Sequence, residues 1–71
     1  MNKSEFSKLE HEVIRAGHEL AKERGAPVRK VFGGDSLSDD VARLQVARRV
    51  RKRFQATSQQ IESAIEECLT P

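Results

Sequence analysis

Arg48, Arg49, Arg51, Lys52 and Arg53 put five cations into six consecutive positions of a 71-residue chain. Guanidinium and ammonium groups at this density bind anions, and phosphate and carboxylate are the anions proteins most often meet. If the segment is helical, Arg48, Lys52, Arg49 and Arg53 fall within roughly 140° of one another, with Gln45 between them. A face of that kind lies along a phosphate backbone without reading base sequence. It suits an acidic protein partner equally well. It also suits internal pairing with Glu62, Glu66 and Glu67 near the end of the chain.

Other reactive side chains do not combine into a site. His11 and His18 share a helical face but stand two turns apart, roughly 10.5 Å. A zinc ion with bonds of about 2.0–2.1 Å is not held by both. Cys68 lies on an apolar stripe and reads as a small core residue. Asp39 and Asp40 suit the positive end of a helix. Ser36 and Ser38 have no supporting histidine, and Gly33-Gly34 is too short for a phosphate loop. The expectation is a protein that is not an enzyme and needs neither metal nor cofactor.

Charge is sorted along the chain. Residues 1–27 carry five basic and five acidic side chains, residues 28–56 eight and three, and residues 57–71 three acids alone. Such sorting either projects a field to a partner or pairs one helix with another. A single cysteine excludes an internal disulfide, and neither a signal peptide nor a membrane-spanning stretch is visible. A cytoplasmic protein is expected.

The elements that must position these residues are helices. Phe6, Leu9, Val13, Ala16 and Leu20 recur with 3-4-3-4 spacing, predicting a first helix over about 5–24 with Ser4 as cap. Gly25-Ala26-Pro27 stops it. The seam also suggests a homodimer through this helix, because a chain of this length has a small core. Residues 28–32 read as a short strand or an extended linker, and Gly33-Gly34-Asp35 as a turn. A second helix covers about 38–54, capped by Ser36 or Ser38, with Val41, Leu44, Val46, Ala47, Val50 and Phe54 as its apolar positions. Arg43 and Arg51 fall inside that apolar arc and must extend past it or pair. Thr57 and Gln60 spell a capping box for a third helix over 58–69, whose inner positions are Ile61, Ala64, Ile65 and Cys68. The fold class is all-α, a single three-helix domain over residues 1–71.

The stretch from Val50 to Ile65 resembles a helix-turn-helix unit. Val50 and Phe54 close the first helix, Gln55-Ala56-Thr57 form the turn, and Ile61, Ala64 and Ile65 face the core. The resemblance implies DNA binding of a regulatory kind, with Gln59 and Gln60 early on the helix that enters the major groove. Gln55 stands where such turns usually carry glycine, and three glutamates follow on the reading helix. The same spacing closes plain helical hairpins in small bacterial proteins. Residues 28–32 followed by two helices also resemble the order of ribbon-helix-helix dimers, with Arg29 and Lys30 on the ribbon. The leading expectation is a small nucleic-acid-binding protein using Arg48, Arg49, Lys52, Arg53, Gln59 and Gln60. The alternative is an interaction module for an acidic protein partner.

Overall fold

The computed structural model describes residues 1–25 and 40–69. They form three α-helices, α1 over Lys3–Arg24, α2 over Asp40–Arg53 and α3 over Ser58–Leu69. The expected extended segment 28–32, the turn after it and the caps Ser36 and Ser38 lie outside the described residues.

Asn2, rather than Ser4, caps α1. Its backbone is extended and its Oδ1 accepts from the Glu5 N–H at 2.8 Å, so the helix begins earlier than the serine suggests. Gly25 ends the helix in the left-handed conformation at φ 66°, and its N–H reaches the carbonyls of Ala21 and Lys22. A side chain there would be strained by the backbone alone.

The start of α3 follows the expected pattern. Gln60 N–H donates to Thr57 Oγ1 at 3.1 Å, and Thr57 N–H donates to Gln60 Oε1 at 2.9 Å. These bonds satisfy two backbone donors that the helix cannot satisfy itself. Thr57→Ala should cost about 0.5–2 kcal/mol, read as a lower denaturation midpoint with unchanged m-value.

The core gathers one line of side chains from each helix. Leu9, Val13, Ala16, Leu20 and Ala21 come from α1, Ala42, Val46 and Val50 from α2, and Ile61, Ala64 and Ile65 from α3. Phe6, Ala47, Phe54, Ala56 and Cys68 close its edge. The seam that suggests a homodimer is therefore covered by α2 and α3 of the same chain. α1 is the central element, and α2 and α3 each touch it more than they touch each other.

α2 is rotated from the setting its apolar pattern predicts. Leu44 and Val41 are 53% and 55% exposed, while Ala42 is fully buried. The inner line is Ala42, Val46 and Val50, which turns the helix by about 80° from a face centred on Phe54. The same turn swings Arg49 and Arg53 onto the side that faces α1.

Candidate functional site

Ala42, Val46, Arg49 and Arg53 stand at i, i+4, i+7 and i+11, so the two arginines prolong the inner line of α2. Opposite them α1 presents Glu12, Glu19 and Glu23, with the last two four residues apart like the arginines. The two rows interlock. Arg53 makes a fork on Glu19, with Nη2 at 2.7 Å from Oε1 and Nη1 at 2.9 Å from Oε2. Its Nε lies 3.4 Å from Glu12 Oε2, an ion-pair contact to an oxygen that is buried and has no hydrogen-bond partner among the described residues. Arg49 donates to Glu23 and lies 3.9 Å from Glu19. The later arginine meets the earlier glutamates, so α1 and α2 run antiparallel along this seam.

The ladder favours the charged forms of Glu19, Glu23, Arg49 and Arg53. Hydrogen bonding from Arg53 is the main cause that keeps the Glu19 carboxyl below the usual range, and Arg49 does the same for Glu23. Both guanidinium groups are correspondingly harder to deprotonate. A depressed folded-state pKa means that the unfolded chain takes up protons more readily, so stability rises with pH across this window. The contribution is complete above the ordinary carboxyl value of 4.5 and is lost as pH falls below it. Glu19→Gln together with Glu23→Gln should flatten the acid limb of a melting-temperature profile between about pH 7 and pH 3. An unchanged limb would show that the ladder contributes nothing.

The basic run thus divides in two. Arg49 and Arg53 are each only 27% exposed at the side chain and are held by α1. Arg48 and Lys52 are exposed on the outer side of α2 and make no ion pair among the described residues. Arg48, Arg49 and Lys52 line a shallow groove of about 430 Å³ with Gln45 and Glu23. Arg24 reaches over from α1 and donates to Gln45 Oε1 at 3.2 Å. Among the described residues the ion pairs of Arg49 and Arg53 therefore go to Glu12, Glu19 and Glu23 of α1 rather than to the expected Glu62, Glu66 and Glu67 of α3. Of those three, Glu66 meets Arg43 at 2.6 Å. Arg51 donates to Ser58, which accounts for the second arginine of the apolar arc.

Gln59 and Gln60 stand apart from this groove. Gln60 is partly buried, and its Oε1 is occupied by the capping box. Gln59 is exposed, but Glu62, Ser63, Glu66 and Glu67 share the exposed side of α3 with it. A surface with three carboxylates repels phosphates. Burial, together with Glu10 and Glu67, raises the pKa of the Cys68 thiol, which leaves it a poor nucleophile. Among the described residues no group of three or more metal-ligating side chains gathers. No described helix is long and apolar enough to cross a membrane.

Compared with protein-family models, curated proteins and solved structures, the chain has no match in any of the three.

Sequence reasoning missed the partners of Arg49 and Arg53. The signal was present in the matched four-residue spacing of Glu19–Glu23 and Arg49–Arg53. Nothing in either spacing says which two helices adjoin.

Proposed function

We propose that the protein is a small, non-enzymatic nucleic-acid-binding protein that meets the phosphate backbone with the outer face of α2. The observation that supports this most is the exposure of Arg48 and Lys52, which make no ion pair among the described residues, beside a groove that Arg49 and Glu23 also line. Arg49 and Arg53 act in this reading as braces. Their pairs with α1 fix the rotation of α2 and so aim its two outward cations. Contact of this kind is to phosphates and carries little base information. Helix α3 takes no part in reading a groove, because its outward side is acidic.

A duplex titration by fluorescence anisotropy tests the reading. Each phosphate contact contributes about −0.9 to the log–log salt slope, so Arg48 and Lys52 together should give a slope of at least about −2. Absence of binding at about 50 mM salt would remove the reading, since low ionic strength favours such contacts most.

A second reading rests on Leu44. It is exposed on the same side of α2 as Arg48, and it lines a separate groove with Ala47 and Ile65. An acidic amphipathic segment would fit an exposed leucine flanked by arginine. Its mark would be loss of partner binding on Leu44→Ala, with no binding to duplex at about 50 mM salt.

A further inference from the structure

The outward face of α1 carries a second row of basic side chains, in which Lys8, Arg15 and Lys22 hold the charge. Lys8, His11, Arg15, His18 and Lys22 are all exposed and recur with 3-4-3-4 spacing. On a helical wheel they fall within an arc of roughly 80°, and no carboxylate shares that arc. The helix is not poor in acids. Its glutamates are gathered elsewhere, with Glu12, Glu19 and Glu23 turned to α2. Lys8 and Lys22 make no ion pair among the described residues, and Arg15 makes a loose contact of 4.0 Å with Glu12 and attracts Glu19 at longer range.

Lys8, Arg15 and Lys22 follow one another at about 10.5 Å, drifting only about 20° per heptad, so they form a nearly straight row of about 21 Å. Duplex nucleic acid carries one charge for every ~1.7 Å of its axis, so a row of this length runs beside more phosphates than it has cations. A lipid surface suits this face less well. Helices that lie on membranes bury a broad apolar face, and the apolar face of α1 is covered by α2 and α3. On the outward side Ile14 is the large apolar residue, at 40% exposure.

We infer that Lys8, Arg15 and Lys22 form a second phosphate-contact row for duplex nucleic acid, separated from Arg48 and Lys52 by the Glu–Arg ladder. This rests on the reading given under Proposed function and extends its footprint from one helix to two.

Duplex titrations on the intact chain from about 50 to 300 mM salt, comparing wild type with K8Q/R15Q/K22Q and R48Q/K52Q, test the inference. The triple variant should make the salt slope shallower by about 2.7 and leave the melting temperature unchanged. If the triple variant melts early, K8Q/K22Q avoids the Arg15–Glu12 contact and should remove about 1.8. A wild-type slope in the α1 variants, alongside a reduced slope in R48Q/K52Q, would overturn the second row and leave the α2 interface standing. No duplex binding by wild type would overturn both. Co-sedimentation with phosphatidylserine vesicles in the absence of duplex binding would assign the row to lipid and overturn the inference.

Discussion

Leu9→Ala should bring the protein to the edge of unfolding, whereas Leu44→Ala should leave its stability within about 0.5 kcal/mol of wild type. Both residues are leucines at apolar positions of amphipathic helices, and sequence pattern treats them alike. Leu9 is fully buried in the core to which all three helices contribute, and Leu44 is 53% exposed. Truncating a buried leucine costs about 2–5 kcal/mol through lost transfer energy and the cavity left behind. A domain of this length has only about 4–11 kcal/mol in total, so Leu9→Ala removes a large share of it. Urea denaturation of the two variants checks this directly. Equal midpoints would mean that α2 sits with its Leu44 face inward. Ala42→Leu gives the converse, since an added isobutyl group on the buried line should destabilise by about 1–3 kcal/mol. Phe54 packs at the edge of the core, so Phe54→Ala should cost less than Leu9→Ala.

Replacing Arg48 and Lys52 by glutamine should weaken duplex binding about 60-fold near 0.1 M salt, the effect of losing two phosphate contacts. The salt slope should become shallower by about 1.8. Stability should hold, because neither side chain is buried or paired among the described residues. Replacing Arg49 and Arg53 should do the reverse in the first instance. Those changes leave Glu12 Oε2 buried without its nearest cation and remove the fork on Glu19. The expected result is a lower melting temperature, with any loss of duplex binding following from a disordered α2. Weaker binding in R49Q/R53Q at an unchanged melting temperature would show instead that the ladder opens to let the arginines meet phosphates.

The number and kind of the helices were readable from the residues alone wherever the chain is described, and so were the end of α1 and both ends of α3. A periodic apolar stripe, a Thr57–Gln60 capping box and a Gly25 stop act over three or four residues, within the reach of local hydrogen bonds and sterics. The third helix begins and ends where its spacing says. The cap of α1 was less legible, because Asn2 and Ser4 have similar capping chemistry and only the backbone angle at Asn2 separates them.

Rotation and partner choice belong to another level. α2 has small or β-branched residues on several sides, so its apolar residues admit more than one inward face. The face that prevails is the one that packs Ala42, Val46 and Val50 on α1 while bringing Arg49 and Arg53 to Glu12, Glu19 and Glu23. Those partners lie 26 to 41 positions away in the chain, and no local rule connects them. Residue types alone established a dense basic helix. Long-range packing settled which of its cations are bound within the fold and which stand exposed, because charge pairing across helices depends on register and rotation that only the assembled core defines.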